Sequence, residues 1–304
     1  RVLPSFFEEN TVRSLADTPL VIGEALRNAA PSNTDNPSVV LLSPGPESVA
    51  YYEHGFIARR TGISLVQGDD LLVLDDHLYL KTVRGLKRVD VVYNRIADAL
   101  LDPLLKSKSS ALGVPGLVHC IRRGTVTVVN AIGSQLADDR SLLHFAPQII
   151  RYYLNESPIL PTLPTYWLGD IDQREMVLGR IDNFLIEPVS PYDPGVTGKR
   201  SAAQLPQLLQ KESTRYVAQP LNSQAVTLYY EGGKPAEAAQ DHTVFALRRG
   251  DNFDVFPGAL TRVFPAKSSG SRHWISKDSW VPGEEIGHPS VHAKPRRFLD
   301  ASAP

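Results

Sequence analysis

The chain has 304 residues, of which 42% are hydrophobic and 21% are charged. This composition is that of ordinary globular proteins, and apolar runs such as 38–42 are far too short to cross a bilayer. The formal net charge of -1 provides no overall field that would hold a polyanion, so neither nucleic acid nor a membrane is an expected partner. We expect one or two compact soluble units.

Cys120 is the only cysteine, which rules out an intramolecular disulfide and makes the cytoplasm the expected compartment. The neighbouring His119 suggests a nucleophile, but adjacent residues on a helix point in different directions. The alternative, a buried small apolar group, is favoured. The chain opens with Arg1 and lacks the pattern of a signal peptide, which predicts that it is a piece of a longer polypeptide.

The first half of the chain alternates apolar, strand-like runs with helical patterns. Pro44-Gly-Pro46 breaks the first run, and Asp75-Asp76 predicts a hairpin turn between two later runs. The predicted elements are strands at 38–43, 71–74, 77–80, 89–93 and 125–129, with helices at 47–60 and 116–123. Strands separated by helices indicate a largely parallel sheet.

Short β runs dominate the chain beyond about residue 160, after a proline-spaced connector at 158–164. The predicted elements are helices at 172–180 and 201–210 and strands at 183–187, 216–219, 225–230, 243–248, 253–256 and 260–264. This pattern favours an antiparallel domain that covers a ligand. We therefore predict an α/β fold in which a largely parallel sheet domain packs on a β-rich α+β domain. The predicted ranges are a helical connector at 1–35, the α/β domain at 36–160, the β-rich domain at 161–282 and a flexible tail at 283–304.

The loop Ser43-Pro-Gly-Pro-Glu-Ser48 lies between a predicted strand and helix, where open α/β sheets collect ligands. Its two prolines remove two N–H donors, which favours a rigid turn over an anion site. Arg95 follows another predicted strand, and either a bidentate contact to an anion or a surface ion pair fits it. Because strand ends of a parallel sheet converge, we predict that 43–47, Arg95 and 130–134 line one cleft.

Other short motifs give little support for a metal site or a catalytic site. His288 and His292 have the spacing of a metal-binding pair on a helix, but Pro289 argues against that helix and a third ligand is not evident. We therefore predict no metal site from these residues. The sequence lacks the glycine-rich and serine motifs of Walker-type NTPases, dinucleotide-binding proteins and serine hydrolases.

Several longer motifs follow one another in a fixed order. They include Asn36-Pro-Ser-Val-Val-Leu-Leu-Ser-Pro-Gly-Pro46, Tyr52-Glu-His-Gly-Phe-Ile-Ala-Arg59, Gly113-Val-Pro-Gly-Leu117, Val129-Asn-Ala-Ile-Gly-Ser134, Tyr216-Val-Ala-Gln-Pro220 and Phe256-Pro-Gly-Ala-Leu-Thr-Arg-Val263. In order and spacing they resemble the central and C-terminal part of circularly permuted ATP-grasp proteins of the type 2 group. The resemblance covers nearly the whole chain up to the tail.

The resemblance implies a ligase of the glutathionylspermidine synthase kind, in which ATP activates a carboxylate as an acyl phosphate that an amine attacks. ATP and magnesium are the cofactors that it implies, and a small carboxylate or a peptide is the substrate. A partner protein or a missing N-terminal segment would complete the site. The residues that it singles out are Arg95, Arg262 and Lys277 for catalysis, Glu53, Asn130 and Ser134 for the substrate, and Glu187 and Gln219 for the nucleotide.

The sequence departs from the resembled pattern around the nucleotide. Glu187-Pro188 stands where the family carries Lys-Pro, so a carboxylate would face the phosphates, at a cost on the order of 1–4 kcal/mol. The glycine-rich lid is replaced by Ser190-Pro-Tyr-Asp-Pro194, and Thr243 stands where the family has arginine. The segment with the magnesium carboxylates would precede Arg1.

Two hypotheses follow from these departures. One is a carboxylate-amine ligase domain in truncated form. The other is a catalytically depleted ATP-grasp relative that binds a peptide, a carboxylate or a partner protein.

Overall fold

The structure is a computed structural model that describes residues 11–31, 35–105, 108, 110–190, 205–221, 225–250, 252–265, 274–277 and 279–283. The described residues divide into two compact units, the larger within Pro19–Gln224 and the smaller within Arg1–Thr18 and Ala225–Pro304. This division does not coincide with the predicted boundary near residue 160, and the four predicted domain ranges stay a prediction. His288, His292 and the altered lid at 191–194 lie outside the described residues.

The larger unit consists of short strands and helices. The described strands are β1 (Val39–Leu42), β2 (Ser64–Val66), β3 (Leu71–Leu74), β4 (His77–Thr82), β5 (Gly85–Arg88), β6 (Val91–Asn94), β7 (Thr127–Val129), β8 (Tyr166–Trp167), β9 (Phe184–Pro188) and β10 (Tyr216–Pro220). The described helices are α1 (Thr18–Asn28), α2 (Tyr51–Thr61), α3 (Asp98–Leu101), α4 (Leu117–Arg123), α5 (Leu142–Leu154), α6 (Ile171–Leu178) and α7 (Leu205–Glu212). The elements predicted for this part of the chain are confirmed with small shifts at their ends, apart from the start of the helix predicted at 201–210, which lies outside the described residues.

Four strands form a parallel sheet in the order β2-β1-β6-β7. Leu41 pairs with Tyr93, and Tyr93 pairs in turn with Val129. All four residues of β1 are buried, which is the pattern of a strand covered on both faces. The largely parallel sheet is therefore confirmed, and the carboxyl ends of β6 and β7 lie side by side.

The two faces of the parallel sheet bury different cores. Val40 and Leu42 contribute to one core together with Leu117 and Cys120, whereas Val39 and Leu41 face the other core with the apolar side of α2. This alternation follows from the two-residue period of a strand. Cys120 is fully buried, which confirms the apolar interpretation, and burial raises the pKa of its thiol.

A three-stranded antiparallel sheet, β3-β4-β5, extends from the same unit. Leu74 pairs with His77, so Asp75 and Asp76 form the predicted two-residue turn. Both have a positive φ, at 48° and 63°, which a tight hairpin of this twist requires and aspartate tolerates. Asp76 also binds Arg123 at 3.2 Å, which fixes the turn on α4.

A second antiparallel sheet in the larger unit has the order β8-β10-β9. Its register pairs Val217 with Glu187 and Gln219 with Leu185. Tyr216 and Ala218 of β10 form a buried core with Leu168, Val177 and Leu209. The two positions that the resemblance assigns to the nucleotide thus lie on neighbouring strands.

The smaller unit is an antiparallel sheet of β11 (Val226–Glu231), β12 (Lys234–Arg249), β13 (Asn252–Phe264) and β14 (Ile275–Lys277), in that order. Within the described residues it also includes a bridge between Val12 and Pro282. Together with the parallel sheet, these strands give the mixed α/β fold that the sequence predicts.

The strand predicted at 243–248 lies within β12, but the prediction that 253–256 and 260–264 are separate strands is wrong, since both belong to β13. β12 and β13 pair along most of their length. Their register shifts between Val244, which lies opposite Ala259, and Ala246, which lies opposite Val255. This irregularity accommodates Pro257, which cannot donate to a regular ladder. The sequence pattern around Pro257 predicts a strand break, but the chain continues through it as a bulged strand.

Candidate functional site

A cleft of about 360 Å³ opens at the carboxyl ends of β6 and β7. Its lining includes Arg95, Asn130 and Ser134, which confirms that these three predicted residues share one cleft. The loop predicted at 43–47 contributes its neighbour Ser48 to the lining rather than its own residues. Parallel strand order explains this convergence, because both strands end at the same edge of the sheet.

Arg95 is the cationic side chain of this cleft, and the sheet fixes its backbone. Its N–H donates to the carbonyl of Leu42 at 3.0 Å, directly beyond the end of β6. The guanidinium Nη2 donates to Glu53 Oε1 at 2.7 Å, and Nε donates to His54 Nε2 at 3.2 Å. The ring of Tyr93 lies 5.7 Å from the guanidinium carbon. Arg95 is thus held between a buried imidazole and an exposed carboxylate.

His54 is 2% exposed and orients Arg95 from the inside of the cleft. Because Arg95 donates to Nε2, this nitrogen is unprotonated and the proton lies on Nδ1, which donates to Ser43 Oγ at 2.9 Å. This tautomer is assigned from the hydrogen bonds. Burial, and then the charge of Arg95, lowers the pKa of His54, which keeps the imidazole neutral.

This arrangement does not activate Ser43 as a nucleophile. Ser43 Oγ accepts hydrogen bonds from His54 Nδ1 and from the backbone N–H of Gly45 at 3.1 Å. A general base would have to accept the serine proton, whereas His54 donates here. The Ser43–His54–Arg95 chain therefore positions a guanidinium and does not perform acyl transfer through the serine.

Stability should depend on pH through His54. The folded state lowers its pKa below the unfolded value of 6.5, so the unfolded chain binds more protons as the pH falls through that value. The charged groups that face the ring are Arg95, which lowers the pKa, and Glu53, which raises it. We expect the free energy of unfolding to decrease from pH 7.5 to pH 5 and the decrease to be smaller in His54→Gln. Urea denaturation at the two pH values measures this, and an identical pH dependence in the variant would contradict it.

The loop after β7 is tied to the opposite wall of the cleft. The N–H of Gly133 donates to Asp98 Oδ2 at 2.8 Å, which connects the turn between Asn130 and Ser134 to α3. Asp98 and Asp138 also line the cleft. The cleft thus combines one guanidinium with two carboxylates and several neutral donors.

Glu187 does not present an isolated charge. Arg140 Nε lies 3.4 Å from Glu187 Oε2, and Arg140 Nη1 donates to the carbonyl of Pro188 at 2.9 Å. Gln219 is buried, and its Nε2 donates to Thr165 Oγ1 at 3.0 Å. The sequence analysis did not identify Arg140 as the partner of Glu187, because the residues around β9 do not indicate an ion pair with a residue that precedes α5.

Arg262 and Lys277 lie in the smaller unit, whereas Arg95 lies in the larger one. Arg262 makes a bidentate ion pair with Asp241, its cross-strand partner, at 2.8 and 2.7 Å, and this hydrogen bonding raises the pKa of Arg262. Lys277 Nζ donates to Thr227 Oγ1 at 2.8 Å and to the carbonyl of Leu228. Each already has a partner within the sheet, and their catalytic roles stay a prediction.

The described residues contain no preformed cluster of metal-ligating side chains. Among them, His, Cys, Asp and Glu side chains form no group of three or more that could hold a metal. Glu187, which stands where the resembled family carries lysine, is paired with Arg140. We therefore assign no step to ATP or magnesium on this part of the chain.

His54 was missed as a site residue, although the sequence contains a signal for it. The buried side of α2 carries His54, Ile57, Ala58 and Thr61, at positions i, i+3, i+4 and i+7. A histidine in an otherwise small and apolar stripe must find a hydrogen-bond partner inside the protein. That partner could not be named from the sequence.

The mixed α/β architecture, with a parallel sheet and several antiparallel sheets, is consistent with an ATP-grasp-like fold. The family model of circularly permuted ATP-grasp type 2 proteins matches residues 1–264. The chain belongs to this family.

Three relatives illustrate the match. An uncharacterized protein of Mycobacterium tuberculosis strain H37Rv is 38% identical over 293 residues, which is 92% of this chain and 53% of the relative. An uncharacterized protein of Mycobacterium leprae is 36% identical over 92% of this chain and 52% of its own length. One from Synechocystis is 35% identical over 91% of this chain and 60% of its own length. The chain spans about half the length of the mycobacterial relatives.

The described helices include none with both the length and the apolar character that crossing a membrane requires. The cytoplasmic location stays a prediction.

Proposed function

We propose that this chain is part of an ATP-grasp carboxylate-amine ligase and that the cleft at β6 and β7 binds the carboxylate substrate. The observation that carries the proposal is Arg95, which is fixed by the sheet and by a neutral, buried His54 in a cleft of this family's fold. Guanidinium groups bind carboxylates with directional, charge-assisted hydrogen bonds.

The residues of the cleft have distinct tasks in this proposal. Arg95 binds the carboxylate, and His54 keeps the guanidinium in place. Asn130 and Ser134 offer neutral polar groups to the rest of the acid. The family implies that ATP then activates the bound acid.

A second candidate is a depleted relative that binds a peptide, a carboxylate or a partner protein without turnover. The Arg140–Glu187 ion pair favours it, because β9 presents a carboxylate with its own arginine partner where the resembled family carries a lysine for the phosphates. The two candidates differ first in nucleotide affinity. Calorimetric titration of the full-length protein with Mg-ATP therefore tests them: micromolar binding supports the ligase, and absent binding supports the depleted relative.

Variants of Glu187 test the pocket that the resemblance implies. In Glu187→Lys we expect Mg-ATP to bind about 5- to 150-fold more tightly, on the order of 1–3 kcal/mol, because a like charge is replaced by an opposite one and Arg140 is released. Glu187→Gln releases Arg140 without adding charge, so its affinity should lie between those of the unmodified chain and the lysine variant.

The matched control is Glu212→Gln, which removes an exposed carboxylate from an ion pair with Arg215 and should leave nucleotide binding unchanged. If Mg-ATP binds equally to all four proteins, β9 does not contact the nucleotide.

A further inference from the structure

Besides a long contact with Tyr93 Oη at 3.5 Å, the guanidinium of Arg95 has a buried partner, His54, and an exposed one, Glu53. His54 and Glu53 differ in how tightly they hold the guanidinium. His54 is almost completely buried, so losing its contact would leave a buried ring nitrogen without a donor. The side chain of Glu53 is 55% exposed, and water readily replaces its contact with Nη2. An anion that approaches Arg95 therefore competes with Glu53 and not with His54.

The arrangement of the three guanidinium nitrogens of Arg95 supports the same conclusion. Arginine binds a carboxylate bidentately through two neighbouring nitrogens. Nε is committed to His54, so a ligand carboxylate has to bind through the two terminal nitrogens. Nη1 makes a long contact with Tyr93 Oη at 3.5 Å, and Nη2 binds Glu53 Oε1 at 2.7 Å. A carboxylate from Glu53 thus occupies part of the position that a ligand carboxylate would take.

We infer that Glu53 is a placeholder for the substrate carboxylate: an acid enters the cleft by displacing Glu53 from Arg95, while the contact between Arg95 and His54 persists. This inference rests on the proposed function, since it describes how the same cleft takes its acid. Glu53 itself is not a catalytic residue but an internal competitor.

The remaining charges of the cleft narrow the ligand to a singly charged carboxylate. Asp98 and Asp138 line the same cleft as Arg95. A dianion such as phosphate would meet more repulsion from the carboxylate of Asp98 than a ligand carboxylate, which carries half that charge. We therefore expect carboxylates to bind in preference to phosphate.

Labelling of arginines by phenylglyoxal, followed by mass-spectrometric mapping of Arg95, tests the inference. Increasing acetate should protect Arg95 from labelling. In Glu53→Gln the acetate concentration for half-protection should fall about two- to fivefold, the range that an exposed ion pair supports. Inorganic phosphate should protect only at higher concentrations than acetate.

Glu212→Gln is the matched control, because it removes another exposed carboxylate from an ion pair with an arginine and should leave acetate protection of Arg95 unchanged. The inference is overturned if Glu53→Gln leaves the protecting concentration unchanged or if phosphate protects Arg95 better than acetate. The labelling reaction contains no nucleotide, so its outcome is independent of the Mg-ATP titration. If Mg-ATP does not bind, the ligase proposal is wrong, and the labelling experiment still decides whether the cleft binds a carboxylate.

Discussion

Replacing Arg95 with alanine is expected to weaken carboxylate binding in the cleft. Hydrogen bonds to a charged group contribute about 1.5–3 kcal/mol, so affinity should fall roughly 10- to 150-fold. The measurement is the shift of the backbone amide signals of Asn130 and Ser134 in nuclear magnetic resonance spectra during titration with acetate. Both residues line the cleft with Arg95.

The same variant should lose stability, because His54 Nε2 would lie buried without its donor. An unsatisfied buried acceptor costs about 1–3 kcal/mol, which urea denaturation resolves. Arg59→Ala is the control: Arg59 is exposed on α2 and lines a different surface, so its loss should change stability by less than about 0.5 kcal/mol. Equal effects of the two substitutions would rule out a special role for Arg95.

Replacing Gly113 with alanine is expected to destabilise the larger unit by roughly 3 kcal/mol or more. A Cβ at this position would collide with the carbonyl oxygens of Leu100 and Leu101, which are backbone atoms and cannot rotate away. Both residues belong to α3, the helix whose Asp98 binds the turn at Gly133. The substitution should therefore disturb the structure of the cleft as well as the packing of the core.

Gly55→Ala is the same chemical change, but we expect it to raise the free energy of unfolding instead of lowering it. Gly55 lies inside α2, and a Cβ there would meet no atom within 4 Å. Alanine in a helix interior is favoured over glycine by about 0.5–1 kcal/mol, so this variant should be more stable. Urea denaturation of both variants measures the difference. Similar free energies of unfolding would show that the backbone around Gly113 adjusts freely.

The sequence predicted the local elements and the parallel sheet well. The run at 38–43 became β1, Asp75 and Asp76 formed the predicted turn, and Arg95 met Asn130 in one cleft. These predictions succeed because strand and helix periods, proline and turn residues act over a few neighbouring residues. The convergence of strand ends then follows from parallel order alone.

Contacts between distant segments were decided only by the tertiary structure. Arg95 meets Glu53 and His54 from 42 and 41 residues away, Arg140 neutralises Glu187 from another element, and a bulge carries β13 through Pro257. Composition and periodicity cannot give these pairings, because they depend on strand order, register and side-chain direction at once. The sequence by itself thus determined where the cleft would form and that it would contain a guanidinium. The fold decided which neighbours hold that guanidinium, because a side chain takes its partners from the elements that pack around it and not from its neighbours along the chain.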